Sequence, residues 1–162
     1  NGALRKYHLI SARPPEGRRT MEDVIAVWQN KRVSPHPQTL LISIKGHRLL
    51  SSSNTNLISL KKALVFFQNP LHNQHFLVLI IRYKPTRITN DGFTMHVREV
   101  ALHHIKNLHK RHFSLQTIGA GGQFLLSHIE NIQESFRTHS AFYKFLRQQQ
   151  REWKQKKRRA KK

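Results

Sequence analysis

Twelve histidines and twenty-nine lysines and arginines stand against eight carboxylates in this 162-residue chain, so any chemistry it performs rests on imidazole, amine and guanidinium groups. His103-His104, His109 and His112 are the one dense run of possible metal ligands. His104 and His109 do not share a helical face, and no cysteine or nearby carboxylate completes a set, so imidazoles turned toward a polyanion are the expected reading. The chain has no cysteine. That excludes a thiolate nucleophile, a disulfide framework and a zinc–thiolate cluster. Paired carboxylates for acid–base work are implausible with so few acids, and no glycine-rich phosphate loop carrying a lysine is present. Gly119-Ala120-Gly121-Gly122-Gln123 reads first as a glycine-rich link from a strand to a helix. No catalytic residue, cofactor-binding residue or metal ligand is assigned, no cofactor is expected, and the chain is expected not to be an enzyme.

The charge balance points elsewhere. Formal net charge is +21, and no acid lies between Asp23 and Asp91. A surface this basic repels itself unless a polyanion matches it, which makes nucleic acid the leading partner class and an anionic membrane the weaker one. No apolar run approaches the roughly twenty residues that span a bilayer, so no membrane partner is expected. The length suits one modest core with terminal extensions. Asn1 is not a methionine, which fits removal of a transit peptide and equally a piece of a longer chain.

The elements that would position these groups centre on residues 64–83. Residues 64–67 and 76–83 are rich in aromatic and branched side chains and read as strands, with Asn69-Pro70 as a hairpin bend. The second run is apolar at almost every position, as in a strand covered on both faces. Before it, residues 1–19 read as an extended arm. Residues 21–32 read as a short helix capped by Thr20, with Glu22 and Asp23 in the first turn and Lys31 and Arg32 in the last. Residues 39–45 read as the first strand, ended by Gly46, and Ser51-Ser52-Ser53-Asn54 supplies N-cap candidates for a helix that carries Leu57, Ile58 and Leu60 to about Ala63. After the hairpin, residues 93–97 read as a strand. Val97, Val100, Ala101, Ile105 and Leu108 then fall at helical spacing, and residues 113–118 read as a last strand. Residues 123–136 and 142–153 read as two amphipathic helices, the second running into a basic tail.

This order predicts an α+β fold: a ferredoxin-like sandwich, its mixed sheet carrying two helices on one face, plus a helical basic C-terminal extension. The expected divisions are an arm with a short helix over 1–38, an α+β domain over 39–118 and the extension over 119–162. Leu41, Val65, Val78, Ile80, Val100 and Leu108 are expected to share one core. Phe66, Phe67, Phe76 and Phe93 could form a base-stacking platform, although strand aromatics more often serve as core.

Three strings carry a resemblance. Ile44-Lys45-Gly46-His47, the segment 64–79 with its proline-bearing bend and Phe-led second run, and Asp91-Gly92-Phe93-Thr94-Met95-His96 resemble the S-ten family of small-subunit ribosomal proteins, in particular its mitochondrial members. The likeness covers about residues 39–118. It implies a structural constituent of the mitochondrial ribosome, in the small-subunit head, whose partners are the small subunit's ribosomal RNA and neighbouring head proteins. It further implies RNA contacts from Lys45, His47, Arg48, His72, Arg82, Lys84 and Arg87. The first helix is shorter than the family's, a single proline stands at the bend, and residues beyond 119 lie outside the family core.

From residue 144 onward ten lysines and arginines face the single acid Glu152, so Arg147, Arg151, Lys154, Lys156, Lys157, Arg158, Arg159, Lys161 and Lys162 are expected to lie along phosphates. The docking helix 123–136 would anchor this clamp. Two other readings use the same residues. Gly121-Gly122-Gln123 is similar to the GGQ string of release factors and related peptidyl-tRNA hydrolases, but Phe124-Leu125 replaces the polar continuation expected there. A free basic RNA-binding module is the third reading, without an aromatic-rich basic motif on its strands.

Overall fold

The computed structural model describes residues 9–15, 22–49, 57–69, 71–87, 92–116, 122–128, 131–135 and 138–160. In chain order these form β1 (Leu9–Arg13), β2 (Val24–Trp28), β3 (Gln38–Arg48), β4 (Leu57–Ser59), α1 (Leu60–Gln68), β5 (Gln74–Arg87), β6 (Phe93–His104), β7 (Phe113–Gln116), β8 (Gln123–Leu126) and α2 (His139–Arg159). Single 3₁₀ turns occupy Ile105–Asn107 and Lys110–His112. The protein is α+β: a mixed five-stranded sheet in the order β1-β2-β3-β5-β6, a small sheet β4-β8-β7, and two α-helices among the described residues.

β3 and β5 run parallel because the chain crosses between them through α1, and every other pairing is antiparallel. Side chains alternate across a strand, so each residue row belongs to one face. Leu41, Phe76, Val78 and Ile80 point to the helix side, where α1 places Leu60, Ala63, Leu64 and Phe67 at the i, i+3, i+4, i+7 spacing of one helical stripe. α2 packs on α1 and β7 and contributes Phe142 and Leu146 to the same cluster as Phe113, Phe124 and Leu126. Two of the aromatic contacts are edge-on: Phe67 meets Phe142 at 4.8 Å between centroids, and Phe113 meets Phe124 at 5.4 Å. Complete burial of a ring such as Phe142 contributes about 2–3 kcal/mol.

Several expected elements differ. Residues 64–67 belong to helix α1, not to a strand, so no hairpin joins them to β5; Pro70 lies outside the described residues. The helix expected up to Ala63 is strand β4 followed by the start of α1, whose N-cap is Ser59, its hydroxyl accepting from the Lys62 amide at 3.3 Å. The capping serines and asparagine proposed at 51–54, and the Thr20 cap, lie outside the described residues. Residues 24–28 are strand β2 in the main sheet, and the expected arm 1–19 supplies β1 beside it. β-branched Val24, Ile25 and Val27 suit that pleated setting, and Asp23 serves as a cross-strand acceptor, taking hydrogen bonds from the Ile44 amide (2.6 Å) and the Ser43 hydroxyl (3.3 Å).

The helix expected over 97–108 is the second half of β6 and a 3₁₀ turn. A bulge explains the misleading spacing: β6 pairs Glu99 with Arg82 but Val97 with Tyr83, so one extra residue brings Val97 and Val100, three apart, onto one face. The helix expected over 123–136 is strand β8, in which Phe124 and Leu126 alternate inward, followed by a turn at His128 with φ 55°. Of the expected core, Val78, Ile80 and Leu108 are buried and Leu41 packs against them, but Val65 is 66 % exposed and Val100 is 58 % exposed. Val65 falls on the outer side of α1 and Val100 on the sheet face away from the helices.

Candidate nucleic-acid interface

α2 runs for 21 residues from Thr138, whose hydroxyl accepts from the Ala141 amide at 3.1 Å, and ends in Lys156, Lys157, Arg158 and Arg159, where the helix dipole favours cations. Its buried line is Phe142, Leu146 and Trp153. At about 100° per residue, Lys144, Arg147, Arg151, Lys154 and Arg158 form a second line about 140° around the helix from the first, and all five are exposed. The stripe is about 21 Å long at about 1.5 Å per residue and contains no acid. Glu152 lies to one side, accepting from the side-chain amides of Gln148 and Gln149 at 3.0 Å each. Tyr143, Lys144, Arg147, Gln148 and Arg151 line an open groove.

Trp153 fixes the far end of the helix. The Trp153 indole lies over Gly122, whose φ of +77° suits glycine, and a Cβ there would stand 3.0 Å from Trp153 Cδ1. Lys157 Nζ sits 5.0 Å from the indole centroid on a half-buried stem, so its charge is partly spent on the ring. Lys156 and Arg159 are exposed, while Lys161 and Lys162 lie outside the described residues. Lys144 was not among the expected contacts, although its spacing to Arg147 and Arg151 was the available signal. The anchor expected from a helix over 123–136 is supplied instead by the apolar side of α2 itself.

The residues expected to bind RNA from the sheet do not form one surface. Lys45 is half-buried on the helix side of β3, where desolvation lowers its pKa against the opposing pull of Asp23. His47 is buried two residues further on. Arg82 is paired through Nη1 to Glu99 Oε2. Those three groups are engaged within the fold. Arg48 is exposed on the opposite face, paired in register with Tyr83, and His72 is exposed in the turn before β5. β3 pairs with β5 only as far as Tyr83, whereas β5 and β6 continue together to Arg87 and Phe93. Lys84 is therefore exposed on a two-stranded ribbon beyond the main sheet, with residues 95–100 of β6 exposed on both faces. Arg87 ends that ribbon, but its side chain, like that of Phe93, is not among those described. Phe67 and Phe76 are core residues, with Phe66 half-buried against them, and provide no open stacking platform.

The histidines expected to face a polyanion are also used internally. His112, 1 % exposed, accepts at Nε2 from the Gln133 amide (3.0 Å), so Nδ1 carries the proton and donates to the Ser127 carbonyl (3.1 Å). Burial lowers its pKa. His103 Nδ1 lies 2.7 Å from Glu134 Oε1, and His109 Nδ1 accepts from the Arg111 amide. Across the sheet end runs a relay of fixed tautomers. The Gln38 amide donates to Ser34 Oγ and the His36 carbonyl, leaving its Oε1 to accept from His75 Nε2 at 2.8 Å. His75 Nδ1 must then accept from His104 Nε2 at 3.1 Å, which leaves His104 Nδ1 buried without a partner among the described residues. Burial, followed by the charge of Lys106, pushes the His104 pKa down to about 4. His75 and His139 are lowered for the same two leading reasons. Among the described residues no three His, Asp or Glu side chains form a metal-sized group.

Gln123 opens β8, pairing with Ser59 on one side and Gln116 on the other, and the carbonyl of Gly122 accepts from the Leu60 amide at 3.2 Å. The other residues of the glycine run, 119–121, lie outside the described residues. Among the described residues no helix is long and apolar enough to cross a membrane. Comparison with protein-family models and with curated proteins finds no match for the chain.

Proposed function

We propose that the chain is a non-enzymatic, RNA-binding structural protein of the mitochondrial ribosome, an S-ten-like constituent of the small-subunit head in the matrix. The observation that carries the reading is the exposed stripe Lys144, Arg147, Arg151, Lys154 and Arg158 on a helix anchored to the core, in a chain of net charge +21. Cations held at fixed spacing neutralise phosphates and release counterions, which gives sequence-independent affinity. The ribbon bearing Lys84 adds a second basic projection.

A ferredoxin-like sandwich inserts a strand between the two parallel strands of its βαβ unit, whereas β3 and β5 are direct neighbours, β6 lies outside β5 and β7 belongs to the small sheet. What supports the family reading is the α+β class and the crossover through α1, not that strand order. Neighbouring proteins suit the other face of the main sheet. There the rows Ile44, Leu79, Leu102 and Gly46, Ile81, Val100 lie side by side, with Ile44, Leu102 and Val100 exposed. Adjacent exposed apolar side chains of this kind suit contact with another macromolecule. The test is sedimentation of tagged protein with mitochondrial ribosomes at moderate salt. Recovery with small subunits supports the proposal, and protein remaining at the top of the gradient refutes it.

A further inference from the structure

We infer that the α2 stripe is laid against the phosphates of double-helical RNA, not along a single strand with splayed bases; this rests on the RNA-binding reading above. Three features of α2 favour the duplex. Its five cations recur at i, i+3, i+7, i+10 and i+14, a nearly straight line on a helix fixed along its length by Phe142, Leu146 and Trp153. Double-stranded DNA presents one charge per about 1.7 Å of axis, twice the density of one strand. At that density a duplex carries about 12 phosphates around the roughly 21 Å of axis that the stripe spans, and those on the near side face it.

Proteins that bind single strands without sequence preference combine a basic groove with aromatic rings for the bases. Here the rings turn the other way. Phe142 is fully buried, Phe145 packs against the core, Trp153 is 8 % exposed, and half-buried Tyr143 stands alone at the stripe's edge. Base-edge readout is also poorly supplied: the amides of Gln148 and Gln149 are committed to Glu152, and the Gln150 carbonyl accepts from Arg147. What remains is a rigid row of charges that senses phosphate geometry and not sequence.

The experiment is fluorescence anisotropy with a 20-base-pair RNA duplex, each of its strands alone, and a duplex of scrambled sequence. It uses wild type, Arg147→Glu/Arg151→Glu, and a charge-matched control, Lys31→Glu/Arg32→Glu, at exposed positions remote in sequence. The wild type is expected to bind both duplexes equally and about tenfold more tightly than either strand at about 100 mM salt. The stripe variant should lose that preference, and the control should keep it. A single strand bound as tightly as the duplex overturns the inference. So does an equal loss in the two variants, which would make the preference a property of net charge. Failure of every RNA to bind would instead sink the RNA-binding reading itself.

Discussion

Replacing Gly122 by alanine concentrates two penalties at one atom. The residue has φ +77°, and an added Cβ would stand 3.0 and 3.1 Å from Trp153 Cδ1 and Cγ and 3.3 Å from Leu60 Cδ2. A non-glycine residue in the left-handed region costs about 1–2 kcal/mol. Neither neighbour yields cheaply, because Leu60 is fully buried and Trp153 nearly so. Overpacking of that kind costs about 1–3 kcal/mol, so Gly122→Ala is expected to destabilise by about 2–5 kcal/mol. With a urea slope of about 1–3 kcal/mol/M the midpoint should fall by roughly 1–3 M, read by circular dichroism and tryptophan fluorescence. Trp153→Phe in the same chain removes part of the clash but not the φ penalty, so the double variant should recover about 1 kcal/mol relative to additivity. Gln123→Ala should stay within about 0.5 kcal/mol, since that strand position is held by backbone pairing. A Gly122→Ala protein as stable as wild type would refute the close packing of Trp153 and Leu60 on Gly122.

Two further predictions address the core and its histidines. Ile80→Ala should cost about 2–5 kcal/mol, whereas Val65→Ala should change stability by less than about 0.5 kcal/mol; equal losses by urea titration would place Val65 in the core after all. Acid should weaken the fold before its carboxylates titrate. His75, His104, His112 and His139 have folded pKa values below the ordinary 6.5, so the unfolded chain takes up protons first as the pH falls. Stability is therefore complete above about pH 6.5 and declines toward pH 4. The His104 shift, discounted for its partial exposure, accounts for about 1–2 kcal/mol of that decline. His104→Gln should flatten the profile over this window, and an unaltered profile would contradict the relay.

Strand positions were legible where β-branched and aromatic residues run uninterrupted, as in β3 and β5, and α2 was legible because Phe142, Leu146 and Trp153 keep one helical phase. α1 was also present in the sequence, as Leu60, Ala63, Leu64 and Phe67, but the fragment 64–67 on its own has strand composition. The second half of β6 was hidden for a different reason, whereas its first half, residues 93–97, reads as the strand it is. The bulge of β6 adds a residue, and the shifted alternation imitates a helix in composition and spacing. At the candidate site the cations of α2 could be read from their charge, whereas the roles of Lys45, His47 and Arg82 could not. Their burial and pairing depend on Asp23, Glu99 and neighbouring strands, which come together only when the sheet forms. His112 was read for the polyanion because its partners, Ser127 and Gln133, come from a later loop.

The exposed face of α2 is expected to carry RNA affinity through phosphate neutralisation. That role is tested most directly by a salt series of RNA binding for wild type and for Lys144→Gln/Arg147→Gln/Arg151→Gln/Arg158→Gln. All four side chains are exposed opposite the helix's buried line, so the fold should persist by circular dichroism. Each phosphate contact contributes about 0.7–0.9 to the slope of log affinity against log salt, and the variant's slope should therefore be about 3 units shallower. An unchanged slope with the fold intact would contradict the account.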